Sequence, residues 1–152
     1  MTAWRDLGTA WRRGPRVWGD LVRASWELAH ANRRFRRLTP RELHVLDSGP
    51  DGPEQALSAS QRALVERVAY ALPVMGLRMP WRSDCLVQAV AARRWLASAG
   101  VAADICLGVV KDEADFRAHA WSKVGERIVT GGDVAEYAQL PPARGRPGLT
   151  GS

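Results

Sequence analysis

Two cysteines, Cys85 and Cys106, are all that the 152 residues contain, too few for a disulfide framework. No positively charged start runs into an apolar stretch with a small-residue cleavage site, so the reducing cytosol is the expected compartment. No run approaches the about 18 consecutive apolar residues needed to cross a bilayer, which excludes a helical span. Histidine is scarce as well, at three residues. No set of Cys and His has metal-ligand spacing, and no Gly-rich loop follows a strand, so neither a metal nor a nucleotide cofactor is expected. The aromatic platforms and base-reading signatures of nucleic-acid modules are missing too.

What the chain does have is an ordinary globular balance, 46% hydrophobic and 25% charged, in a length that suits one domain. Its charge is unevenly placed. Residues 1–37 hold nine arginines (Arg5, Arg12, Arg13, Arg16, Arg23, Arg33, Arg34, Arg36, Arg37) against Asp6, Asp20 and Glu27, so this segment carries the whole formal charge of +6. A basic segment on a neutral body favours an acidic partner. Trp4, Trp11 and Trp18 recur at sevens, and Leu7, Val17, Leu21, Val22, Trp26 and Leu28 complete a helical stripe, interrupted at Gly14-Pro15. The stripe suits folding back on the core, docking a partner or touching a membrane surface. Three regions follow: a basic, Trp-rich helical arm over 1–38, a core over 39–140, and a disordered Pro/Gly-rich tail over 141–152.

Thr39-Pro40 reads as a helix start running to Leu46, and "DSGPDGPEQALSAS" as a loop. A helix is expected over 60–72, with Leu64, Val65, Val68, Ala69 and Leu72 on one face and Pro73 ending it. The stretch from Cys85 to Gly100 reads as another, burying Leu86, Ala89, Val90, Leu96 and Ala97, with Trp95 packing on it and Gly100 as its stop. "VAADICLGVV" is strand-like, "AHAWSKV" alternates, and Gly125-Glu126 turns the chain back into "RIVTGG". Helices followed by an antiparallel meander make an α+β fold.

The chemistry centres on Cys85. A free thiol is mostly protonated at neutral pH and only the thiolate is nucleophilic. A helix N-terminus, with its unsatisfied N–H groups and dipole, favours negative charge on such a sulfur. Ser83 or Asp84 can cap that helix, and the Cys85 N–H can point towards an oxyanion. His119 is the candidate base. On a strand it shares a face with Trp121 while Ala118, Ala120 and Ser122 take the other, so an imidazole stands beside an apolar wall. Asp133, brought alongside by the hairpin, is the candidate to orient the far ring nitrogen; otherwise it caps a short helix over "DVAEYAQL". Trp121 and Trp81 are candidates for the walls of a substrate cleft. Cys106, in an apolar strand, reads as core, and His30 and His44 as structural.

The runs "CLVQAVAARRWLASAGVAADICLGVVK" and "FRAHAWSKVGERIV" resemble the transglutaminase-like cysteine peptidases of lasso-peptide biosynthesis, the maturation B proteins or their stand-alone C-terminal half. The shared features are Cys-Leu opening a small-residue helix that ends in "AGV", a strand ending in "LGV", and "AHAW" leading into a hairpin, across about residues 60 to 140. The resemblance implies a papain/transglutaminase-like core, in which a Cys-bearing helix packs on a small antiparallel sheet bearing His and Asp. It implies removal of the leader from a ribosomally made precursor peptide, with a separate leader-recognition protein and a lasso cyclase as partners. Cys85 matches the family's nucleophile and His119 its general base; the family's acidic residue falls nearer to Thr130-Gly131 than to Asp133. Two other readings stay open: transglutaminase-like acyl transfer or deamidation through the same thiol, and an inactive binding module that docks a maturation partner.

Overall fold

Gly14, at φ +86°, turns the chain into a helix that Pro15 opens. That position suits proline, whose missing N–H would be unpaired in the first turn anyway. The computed structural model describes residues 14–37, 56–81, 83–112 and 115–139. Over them run α1 (Pro15–Phe35), α2 (Ala59–Gly76), α3 (Cys85–Ala97), β1 (Asp104–Asp112), β2 (Asp115–Val124), β3 (Arg127–Thr130) and β4 (Ala138–Gln139). The order is α+β, helices first and an antiparallel sheet after, as the sequence pattern predicts. Trp4, Trp11, the helix expected over 39–46 with His44, and the tail beyond 140 lie outside the described residues.

The inward face of α1 is narrower than the sequence stripe. Leu21, Ala24, Leu28 and Ala31 are buried, whereas Trp18, Val22 and Trp26 are exposed. The alanines win because their short side chains let α1 lie close against α2 and α3, both of which it contacts. Helix α2 starts with a capping box: the Ser58 hydroxyl accepts from the Gln61 N–H, and the Gln61 side chain accepts from the Ser58 N–H. It also runs past the expected stop, because Pro73 lies inside it and the helix ends at Gly76. So near the end a proline forfeits one backbone bond, to the Ala69 carbonyl. The fully buried Leu72 and the core contacts of Val74 and Met75 offset that loss, since each buried large aliphatic side chain contributes about 1.5–3 kcal/mol.

Helix α3 is buried on more than one side, through Val87, Ala89, Ala91, Ala92, Trp95 and Leu96, while Ala97 is exposed. Its end is closed by Gly100 at φ +72°, where the Val101 N–H returns to the Leu96 carbonyl at 3.0 Å. The sheet order is β3-β2-β1-β4, with every neighbour antiparallel. Val124 and Val129 join the helices in one core with Val101 and Ala103. The hairpin turns at Gly125-Glu126, Gly125 taking φ +56°.

Buried charges tie the helices together. Glu27 of α1 is only 2% exposed and meets Arg23 of its own helix at 3.0 Å and Arg94 of α3 at 3.3 Å. The Arg94 contact is an ion pair without hydrogen-bond geometry, for Glu27 Oε2 has no hydrogen-bond partner. Asp20 takes both a 2.8 Å bond from Arg67 Nε and a second from its Nη2, linking α1 to α2. Among the described residues no helix is long and apolar enough to cross a membrane.

Candidate active site

Cys85 is the first residue of α3 and half-buried. Asp84 is the N-cap residue, with extended backbone and no side-chain capping bond, so the first N–H groups of α3 are not claimed by it. The approach to Cys85 is fixed from inside the helix: Gln88 Nε2 donates to the Ser83 carbonyl at 3.1 Å. Gly76 makes room for that amide, because a Cβ there would stand 2.7 Å from Gln88 Nε2. The Ser83 hydroxyl is buried without a hydrogen-bond partner.

The Cys85 sulfur lies against strand β2. Sγ accepts from the backbone N–H of Ala120 at 3.4 Å, one peptide unit from His119. That N–H and the start of α3 both present positive ends of dipoles to the sulfur.

His119 is half-buried on β2, opposite Gly108 of β1 in the register. Its ring stacks on Trp121 at 6.2 Å between centroids and meets Tyr137 at 4.8 Å. Nε2 is 2.7 Å from the Gly131 carbonyl oxygen. A carbonyl only accepts, so Nε2 carries the proton, and in the neutral ring Nδ1 is then the basic nitrogen.

The Gly131 carbonyl arrives there for steric reasons. Strand β3 is pinned to β2 by the buried Ser122–Thr130 hydroxyl pair at 2.9 Å, beside a bulge between Ser122 and Lys123. The next residue turns at φ +114°, and a Cβ on it would sit 2.3 Å from Trp121 Cβ. Only glycine fits. Gly108 plays the matching part on β1, where a Cβ would lie 2.7 Å from the Trp121 ring and 3.0 Å from Tyr137 Cβ. Trp121 thus fills the space that two glycines leave, 4% exposed, and backs the imidazole.

Asp133 lies two residues beyond Gly131 and is exposed. Its Oδ1 accepts the Ala135 N–H at 3.0 Å, an Asx-type turn. The alternative short helix is not formed over the described residues 133–139: turn residues lead into the two-residue β4. Cys106 is buried, with Gln139 Nε2 3.5 Å from its sulfur. Trp81 lines a groove with Trp26 and His30 of α1. The structure therefore brings Cys85 to the His119-Ala120 peptide, sets Trp121 under the ring, and holds the Asp133 carboxylate on its own loop. Tyr137 had no sequence signal, while Gly108 stands in the shared "LGV" and Gly131 in the turn-like "TGG", near where the resemblance places the family's acidic residue. Among the described residues no three His, Cys, Asp or Glu side chains converge as a metal site would require.

The thiol and the imidazole are thus anchored at consecutive residues of one strand, Sγ on the Ala120 N–H and the His119 ring through Nε2 on the Gly131 carbonyl. No curated protein and no solved structure gives a significant match to the chain. The model of one family, the transglutaminase-like superfamily, matches residues 22–143. A match over most of the chain, on a fold with helices before a small antiparallel sheet, makes this chain a member of the transglutaminase-like superfamily.

Proposed function

We propose that the chain is a cysteine endopeptidase that removes the leader from a ribosomally synthesised lasso-peptide precursor, working in the cytoplasm with a separate leader-recognition protein ahead of a lasso cyclase. The observation that carries the catalytic part is the Cys85 sulfur on the Ala120 N–H, next to an imidazole tied through Nε2 to Gly131. The Cys-Leu helix start and "AHAW" strand carry the finer assignment.

In this reading His119 Nδ1 takes the Cys85 proton, and the thiolate attacks the scissile carbonyl carbon. The carbonyl oxygen gathers the negative charge of the tetrahedral intermediate, which the Cys85 N–H at the open start of α3 stabilises. Collapse breaks the C–N bond, and the imidazolium gives its proton to the departing amine, the new N-terminus of the core peptide. Water, deprotonated by the same ring, then attacks the thioester and releases the leader as a carboxylate. The Gly131 carbonyl holds the ring in the competent tautomer throughout, and Asp133 supports it at one remove by bracing the loop that carries Gly131. Trp121 keeps the ring plane fixed.

Cys85→Ala and His119→Ala are each expected to abolish leader release from a precursor mixed with its recognition protein, with far-UV circular dichroism retained. Normal cleavage by Cys85→Ala removes the mechanism.

A further inference from the structure

Beside the catalytic segment lies a groove of ≈ 370 Å³ lined by Trp26, His30, Arg33 and Arg36 of the α1 end and by Trp81. A second depression adjoins it, sharing His30 and Arg33 and adding Arg34 and Arg37. Cations near a helix C-terminus suit its dipole, and that accounts for Arg33 and Arg34. The same dipole reaches Arg36, the C-cap residue, but it does not account for Arg37, which lies beyond the cap, nor for Trp26, left 64% exposed beside them. Among the described residues no carboxylate pairs with any of the four arginines. Trp81 forms the other wall of the groove. Trp81 also stands four residues ahead of Cys85, so whatever fills the groove lies along the segment that leads into the nucleophile.

Resting on the peptidase reading above, we infer that this groove is an exosite for an acidic segment of the peptide substrate, remote from the scissile bond. Carboxylates would meet the guanidinium forks of Arg33 and Arg36, while an aliphatic side chain covers Trp26. Binding there raises the local concentration of the scissile region at Cys85 by tethering, without any new contact at the sulfur.

The test uses the full chain and two fluorescein-labelled dodecapeptides, one alternating Glu with Leu and the other Gln with Leu. Anisotropy reads binding, and the same peptides capped with a chloroacetamide read delivery to Cys85 by intact mass. The Glu peptide is expected to bind and the Gln peptide not. Arg33→Gln/Arg36→Gln should weaken binding about tenfold at low salt, as should Trp26→Gln, and added salt should weaken it further. The capped Glu peptide should label Cys85 faster than the capped Gln peptide, with a ratio that falls to about one in Arg33→Gln/Arg36→Gln. Equal binding of both peptides, or no response to the arginine substitutions, overturns the inference. So does tight binding with no labelling advantage, which would make the groove a partner surface. Binding that appears only after Glu42, Asp47, Asp51 and Glu54 are neutralised overturns it in favour of the chain's own acidic stretch. Anisotropy does not depend on thiol chemistry, so failure of the peptidase reading is recorded separately, as a Cys85 inert to iodoacetamide.

Discussion

Gly131→Ala separates the proposed main-chain support of His119 from ordinary packing. The added methyl would stand 2.3 Å from Trp121 Cβ and 3.1 Å from Trp121 Cα, at a φ of +114°. Holding a non-glycine residue in that conformation costs about 1–3 kcal/mol, and overpacking adds about 1–3 kcal/mol. Trp121 is 4% exposed and its backbone is paired to β1, so the strand resists. The segment after Thr130, whose anchors are the Asp133 turn and the short β4, yields instead. Its movement carries the 131 carbonyl away from Nε2. The direct loss is one hydrogen bond, about 0.5–1.5 kcal/mol, but a misplacement of about 1 Å at a catalytic group can cost about 10²-fold. Gly131→Ala is therefore expected to lower kcat/KM for leader cleavage about 100-fold, with a urea midpoint lowered by about 1 M. Asp133→Asn, which can still accept the Ala135 N–H, should lose about tenfold or less. A Gly131→Ala protein with cleavage and midpoint both near wild type would refute the reasoning, and so would an Asp133→Asn protein as impaired as His119→Ala.

Other consequences concern the scaffold. Arg23→Ala/Arg94→Ala strips both partners from Glu27, 2% exposed, and is expected to cost about 3 kcal/mol in denaturant unfolding, since a buried carboxylate left alone is penalised heavily. Adding Glu27→Gln to that pair should return part of the loss; a triple variant no more stable than the double would show that the charge is not the cause. Arg127 holds the Glu66 carboxyl below its ordinary value of 4.5 through a side-chain hydrogen bond, which burial only partly opposes. Its contribution is complete above that ordinary value and fades as pH falls through the lowered folded value. Both side chains are more than half exposed, so the amount is about 1 kcal/mol at most and shrinks in salt. The pH dependence of stability in Glu66→Gln should lack this acid limb, and an unchanged limb would contradict the assignment.

The sequence made some of this legible and hid the rest. The start of α3 at Cys85 was readable because Ser-Asp precedes a run of small helix formers, and the hairpin because Gly125-Glu126 separates two alternating segments. The helical stripe in α1 divides: Leu21 and Leu28 join Ala24 and Ala31 in the core, whereas Trp18, Val22 and Trp26 stay exposed, a split that the spacing alone left open between core, partner and membrane surface. Pro73 misled, because a proline in a last turn removes one bond rather than the helix. In the site, Cys85 and His119 announce themselves by residue type. The Gly131 carbonyl does not, since every residue carries one; it is selected by a positive φ and by the bulk of Trp121, which only the folded register brings together. Asp133 drew attention for its charge, while the ring's hydrogen bond went to a neighbouring backbone atom.

The central claim is that the Cys85 thiolate opens a peptide bond and hands the acyl group to water. Intact-mass analysis of the lasso precursor after incubation with this protein and its recognition partner tests it most directly. Two fragments whose masses sum to the precursor plus one water are predicted, formed by the wild type and not by Cys85→Ala. A precursor that keeps its length, whether unchanged or shifted in mass as deamidation would shift it, contradicts the account.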